Sequence, residues 1–472
     1  MNPSLRLGLR RAAAAASAAF AASLPVVAQE PPSFATTLAP ILAAIEPARL
    51  DATVRTLAGF GTRHVLSRTD SDTEGTGAAR RWLQAQFEAI AATSGGRLRV
   101  SLQQATVPCT RPGMPKEVPI VNIIATLTGV GDPARHYVIG GHYDSRNSVG
   151  EDGVGAAPGA VDDASGTAVA LEACRVLATR TFPATLVFVA HDAEEQGLLG
   201  SKAHAEALRA SGAEVDGMFA CDIVGNTLGM DGQRYDRHVR CFSYAPSGND
   251  SLGRSLARAL AASAQRHVPD FGVKLIWRGD RFGRGGDHRS FFEVGSPAVR
   301  LSEPREDFTR QHQNVVPVDG KPYGDLPEFA DPAYMANVTR VVVAAAAELA
   351  AAPRPPRVVS AQLRRDRYDT ELVYELPEGV ERCEFVWRET TDADWTHGLG
   401  MAEAAPRVTR SGRSLATFPG VCLDDCVVGV RSLGRDGSRS RVVTPAEPDR
   451  FDQRPRPRTA DSRAADGDGS GR

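Results

Sequence analysis

The sequence predicts an α/β domain built on a mixed, largely parallel sheet flanked by helices, followed by a C-terminal all-β sandwich. Three observations predict it. Short apolar runs such as Thr-Leu-Val-Phe-Val-Ala at 185–190 alternate with helical stretches over residues 49–352. Runs apolar at every position belong to strands covered on both faces. A cluster of Pro353, Pro355 and Pro356 then breaks the chain, and short turn-separated strands recur beyond it, as in a sandwich.

Element by element, 49–58 and 77–92 read as amphipathic helices; Trp82, Leu83, Phe87 and Ile90 recur at helical spacing in the second. Strands follow at 118–127, 137–141, 185–190, 218–224 and 296–301. Helices are expected at 166–178, 251–266 and 335–352. The sandwich strands are expected at 358–363, 368–374, 383–388, 414–418, 426–432 and 439–444. The chain divides into a signal peptide (1–28), a first domain (29–352), a Pro-rich linker (353–357), the sandwich (358–448) and a polar, disordered tail (449–472).

The 472 residues carry a net charge of −2, with 42% hydrophobic and 24% charged residues, a globular balance. That charge supplies no field for nucleic acid or an anionic membrane. Arg6, Arg10 and Arg11 precede an Ala-rich apolar run at 12–27, and Val26-Val27-Ala28 offers small residues for cleavage. This is the order of a secretory signal, so the product is expected to be secreted or periplasmic and free of the membrane after cleavage. No later stretch reads as long and apolar enough to span a bilayer. Seven cysteines leave at least one unpaired; in an exported chain some are expected as disulfides, with Cys383, Cys422 and Cys426 able to pair among themselves.

Chemistry-bearing groups stand directly after the apolar runs, where open α/β sheets bind ligands. His142 and Asp144 follow one run; Asp144 is placed to accept the second ring N–H of His142. Asp162 and Asp163 open a helix in Asp-Asp-Ala-Ser-Gly; Asp163 and Ser165 could serve as caps, a role that fits Asp162 poorly. Glu194 and Glu195 follow another strand ahead of a glycine-bearing turn. Asp222 sits in a segment too apolar for an unpaired charge. Asp287-His288 and Gln311-His312-Gln313-Asn314 complete the set.

The order HxD, DDASG, EExGLxGS, a strand Asp, a GDH-type element and a late His resembles the co-catalytic zinc aminopeptidases, the bacterial leucyl aminopeptidase and aminopeptidase Y group, over residues 49–352. The resemblance implies that family's fold and a metallopeptidase holding two zinc ions, with cobalt or manganese as substitutes. It implies His142 and Asp222 on one ion, Glu195 and His312 on the other, and Asp162 between them, followed by Asp163. Glu194 would be the general base, Asp144 the partner of His142, and Asp287 and His288 the pocket element. His312 lacks the family's following Asp, so His288 is its rival. One imidazole and one terminal carboxylate per ion, with Asp162 shared, suit zinc. Peptides with a free N-terminus would be the substrates. The sandwich, with Trp387 in a central strand and the run 427–432, resembles fibronectin type III modules.

Two enzymes of the same fold remain open. A glutaminyl-cyclase-like transferase needs one zinc, and His142 together with Asp222 favours two. A carboxypeptidase needs a cation for the substrate carboxylate, and Arg278, Arg281 and Arg284 could supply it. A metal-free binding ectodomain is the third alternative.

Overall fold

A computed structural model describes residues 33–245, 250–364 and 366–446. The signal segment and the tail from 449 lie outside the described residues.

In the first domain, among the described residues, a short two-stranded ribbon pairs Pro317–Val318 with Lys321–Pro322, and eight strands build the main sheet: β1 (Leu98–Pro108), β2 (Glu117–Leu127), β3 (Asp132–His142), β4 (Ala184–His191), β5 (Glu214–Cys221), β6 (His238–Ser243), β7 (Gly272–Ile276) and β8 (Ala298–Ser302). They form one sheet in the order β1-β2-β4-β3-β5-β8-β6-β7. The central strands β4, β3, β5 and β8 are mutually parallel. β4 is buried at every residue, which explains its unbroken apolar sequence. The antiparallel edge strand β1 is buried only at Leu98, is otherwise half-buried or exposed, and carries Arg99, Ser101, Gln103, Gln104 and Thr106. Its polarity hid it from a reading based on apolar runs.

Helices cover both faces. α1 (Phe34–Ala43), α2 (Pro47–Gly59), α3 (Gly75–Ala92), α4 (Ser165–Leu177), α6 (Leu252–His267) and α8 (Pro332–Ala351) pack one face into the main core. α5 (Leu199–Ala210) and α7 (His288–Glu293) cover the other, where Ala205 and Phe291 meet Val138, Val189 and Met218. α8 corrects one expectation: it is long and apolar enough to cross a membrane. Fifteen of its residues are buried, so its apolarity is that of a core helix.

Parallel pairing sets the site. His142 is opposite His191 across β3–β4, and Cys221 is opposite Leu301 across β5–β8. The carboxyl ends of β3, β4, β5 and β8 therefore open on one edge. β5 ends at Cys221, so Asp222 stands just beyond the strand, not inside it as the run 218–224 suggested.

The C-terminal part has its own core. Strands Arg357–Arg364, Asp369–Glu375, Ser414–Phe418 and Arg407–Val408 form one antiparallel sheet. Strands His397–Leu399, Cys383–Glu389 and Cys426–Ser432 form the other. Leu372, Tyr374 and Phe418 from the first meet Phe385, Val428 and Val430 from the second. The expected strand at 439–444 is reduced to isolated bridges, Val430 to Val443 and Leu433 to Arg439. Arg354 holds Asp132 with Nη2 at 2.7 Å, and Arg441 reaches Asp216 at 2.9 Å, tying the sandwich to the first domain.

The cysteines also depart from expectation: all seven are free. Cys221 and Cys241 both face Leu301, from opposite sides. Two strand spacings, roughly 10 Å, separate them, too far for a disulfide. Cys383 lies against Met401 at 3.4 Å.

Candidate metal centre

The site begins with close backbone packing. A Cβ on Gly166 would lie 1.8 Å from the Cys221 carbonyl oxygen, and one on Gly141 would lie 2.4 Å from the Gly166 backbone. Only glycine lets the first turn of α4 press between the ends of β3 and β5. Asp163 fastens that turn. Its Oδ2 accepts the His142 N–H at 3.1 Å, and its Oδ1 accepts the Gly166 N–H at 2.8 Å and the Ile223 N–H at 3.2 Å. The Asp162–Asp163 peptide bond is cis. Asp163 is fully buried; it caps the first turn of α4 through the Gly166 N–H, as expected, and in addition supports the site from behind.

Asp162 faces two imidazoles. Its Oδ1 is 3.2 Å from His142 Nε2, and its Oδ2 is 3.0 Å from His312 Nε2. His142 Nδ1 turns to Asp144, 3.3 Å from Oδ1. The Asp144 oxygens also accept the backbone N–H groups of Glu194 at 3.0 Å and Glu195 at 3.1 Å. Asp144 thus orients the histidine, through its backbone carbonyl at 3.2 Å as well as its carboxylate, and its carboxylate holds the turn after β4. Glu195 Oε1 is 2.9 Å from His312 Nε2, and His142 Nε2 is 3.9 Å from Asp222 Oδ1.

Two groups result, each with ligand atoms within 4.8 Å of one another: His142, Glu194 and Asp222, and Asp162, Glu195 and His312. Glu195 Oε1 and Asp222 Oδ1 are buried without a hydrogen bond. These oxygens stand one in each group, and each has one cationic side chain close beside it, His312 Nε2 at 2.9 Å from Glu195 Oε1 and Arg300 at 2.8 Å from Asp222 Oδ1. A buried carboxylate oxygen that makes no well-formed hydrogen bond is costly, and a metal ion beside each would satisfy its remaining lone pairs. The donor set, imidazole and carboxylate, suits zinc.

Asp287 and His288 sit elsewhere. Asp287 Oδ2 is 3.0 Å from His191 Nδ1, and His191 Nε2 is 3.0 Å from His204 Nδ1, all buried beneath the site. His288 Nε2 donates to the Gly279 carbonyl at 2.7 Å, and its ring stacks on Tyr244. Neither lines the cleft above the metal groups, so the pocket role expected of them is corrected to a supporting one. Substitution of His312 by Ala is expected to remove one zinc, while His288→Ala keeps the full complement. Zinc analysis of both variants checks this, and the reverse pattern reassigns the ligand.

Sequence reading passed over three residues. Asp325 accepts the Val161 N–H at 2.9 Å and the Asp162 N–H at 2.7 Å, holding the loop that presents Asp162. Burial pushes its carboxyl up to about 7. Arg146 reaches Glu195 Oε2 at 2.9 Å and His312 Nδ1 at 2.6 Å. Buried Arg300 lies 2.8 Å from Asp222 Oδ1. An Asp 13 residues past His312 was the available signal for Asp325; the two arginines carried none.

Charge follows this geometry. Burial opposes ionisation of Glu195, but the His312 imidazolium and Arg146 hold its carboxyl down at about 2. Burial lowers His312, yet Glu195 and Asp162 outweigh it and raise the ring to about 10. Burial likewise lowers His142, and its bonds to Asp144, Asp162 and Asp222 raise it well above the usual histidine value. Zinc binds the neutral ring, so uptake by stripped protein at about pH 8 is expected to release protons. Without metal, the His312 contribution to stability is whole below its ordinary 6.5 and lost as pH rises through about 10. Melting of chelator-treated protein across that window should fall with pH; a rise contradicts it.

The comparisons fit this geometry. The model of Peptidase family M28 matches residues 122–320. A "Probable zinc metalloprotease" of Leptosphaeria maculans is 39% identical over 419 residues, covering 85% of this chain and 95% of that protein. The chain belongs to peptidase family M28. A second "Probable zinc metalloprotease", from Pyricularia oryzae, is 40% identical over 432 residues, covering 86% of this chain and 83% of its own. The LapA aminopeptidase of Legionella pneumophila shares the fold, with a TM-score of 0.51 at 21% identity over 69% of this chain and 77% of its own. As an M28 protein the chain is a zinc-dependent metallopeptidase, and the M28 match spans every residue of the two metal groups.

Proposed function

We propose that this chain is a di-zinc exopeptidase that removes N-terminal residues from peptides. Asp162 carries the reading, because its two oxygens face two different imidazoles. His142 and Asp222 would hold one ion, and Glu195 and His312 the other. Zinc when bound activates water at neutral pH and stabilises negative charge on the attacked carbonyl.

The chain's own groups do the rest. Asp144 fixes the His142 ring and the backbone of the Glu194 turn. Burial, with Asp222, Glu195 and Asp287 nearby, raises the Glu194 carboxyl well above its usual value. A carboxylate beside the two metal positions can take a proton from water and return it to the leaving amine. The same partly exposed side chain is placed to receive a substrate ammonium.

The test is a panel of free and N-acetylated aminoacyl substrates, with zinc measured in parallel. Cleavage of free substrates alone supports the reading. Equal cleavage of acetylated ones removes it and favours the carboxypeptidase alternative, to which Arg281 and Arg284 in the cleft lend support. A glutaminyl-cyclase-like enzyme would leave the second ligand group without a use.

Secretion or periplasmic export rests on residues 1–28; a mature protein beginning at Gln29 supports it, and an intact N-terminus contradicts it. The sandwich is proposed as a fibronectin type III-like spacer, on the strength of its two antiparallel sheets around one core. A chain ending at Ala352 is then expected to fold and cleave small substrates, melting somewhat lower for want of the Arg441–Asp216 contact. Insoluble or inactive material would make the sandwich part of the catalytic core.

A further inference from the structure

The cleft has a volume of about 280 Å³, at the small end for ligand pockets. Its lining is divided by charge. The carboxylates Asp162, Glu194, Glu195 and Asp222 form the metal floor. Arg111, Arg146, Arg281, Arg284 and Arg289 form the walls. Zinc on the floor would cancel the acidic charge and leave the walls in excess.

The five arginines are not equivalent. Arg146 is engaged with Glu195 and His312, and Arg111 with the Glu195 carbonyl. Arg281 is 9% exposed and bound to Asp280 and Glu306. Arg284 differs. Both of its bonds, to Glu306 at 3.0 Å and Gln311 at 3.2 Å, leave from Nη1, and the side chain is 29% exposed. Arg289, 54% exposed, bonds Glu293 through Nε.

Local acids offset this wall only in part: Asp280 is shared by Arg281 and Arg300, and Glu293 serves Arg289. Glu306 is shared by Arg240, Arg281 and Arg284, and one carboxylate cannot balance three guanidiniums. Gly285, beside Arg284, leaves open space where a side chain would stand: an added Cβ would meet only the Arg289 Cδ, at 3.9 Å. A planar guanidinium fixed at one nitrogen still offers donors for a carboxylate.

We propose that Arg284, backed by Arg289, forms a carboxylate subsite on the leaving-group side of the cleft. The preferred substrates are short peptides with a carboxylate one residue beyond the scissile bond. That group is either the C-terminus of a dipeptide or an acidic side chain. The inference rests on the aminopeptidase reading for its direction only.

The test compares zinc-replete enzyme on Leu-Leu and Leu-Leu-amide. Free acid is expected to exceed amide in kcat/KM by about tenfold or more, chiefly through KM, the scale of one charge-assisted contact. Arg284→Gln should bring the ratio close to one with zinc content held, and Arg284→Lys should restore part of it. Calorimetry on the Glu194→Gln protein reads the same preference as binding. Leu-Asp-amide against Leu-Asn-amide separates the sources: an Arg284-dependent preference there assigns the side chain, and its absence assigns the C-terminus. Cleavage of N-acetyl-Leu-Leu overturns the aminopeptidase reading and leaves the subsite standing. Equal values in the unaltered enzyme for both pairs, Leu-Leu against its amide and Leu-Asp-amide against Leu-Asn-amide, or a preference unchanged in Arg284→Gln, overturn the subsite.

Discussion

Glu194→Gln is expected to lower turnover by about 10²–10⁴-fold, the usual contribution of a general base, with zinc content and melting near those of the unaltered protein. Glu194 is only partly exposed, and its backbone is pinned by Asp144. Its carboxyl lies among the ligand atoms of His142 and Asp222. It could therefore bind metal itself, and the variant separates the two roles. A base replaced by an isosteric amide loses proton transfer alone; a lost ligand takes zinc with it. Glu195→Ala should lose both zinc and activity, because Glu195 is one of the three ligand-type residues of its group, beside Asp162 and His312. Zinc analysis with steady-state kinetics decides. Near-normal turnover in Glu194→Gln would remove the base from the mechanism.

Asp162→Ala is expected to abolish activity and to reduce bound zinc at both positions. Its two oxygens are the groups that face His142 and His312 together. Removing them sets two imidazoles against each other across the gap. Asp325→Ala should act in the same direction more weakly, since it holds only the backbone N–H groups that present Asp162. Retention of zinc by Asp162→Ala would show that the two groups are independent of it.

The legible parts of the site share a physical origin. His142 ends one buried parallel strand, and Asp222 and the Glu194–Glu195 turn follow others, whose apolar sequences mark where the chain leaves the sheet. Asp162 was legible because a glycine-bearing helix start follows it, and Gly166 is required there by the Cys221 carbonyl. What sequence did not show acts over long range. Arg146 meets His312 across 166 residues, and Asp325 meets Asp162 across 163. Arg146 has no local pattern, and Asp325 had only its place 13 residues past His312. The edge strands were missed for another reason: β1 is half-polar, and β7 has only five residues, so no apolar run announced them. Asp287 and His288 misled because adjacency in sequence suggested a shared place in the cleft. α7 instead turns both inward, one to His191 and the other to Gly279.

The central claim is that the two carboxylate–imidazole groups each hold an ion. Zinc per chain, measured on protein purified without chelator and again after zinc is added back, tests it most directly. Two ions per chain, falling to one in His312→Ala, is the predicted result; one ion or none in the zinc-replete protein would contradict it.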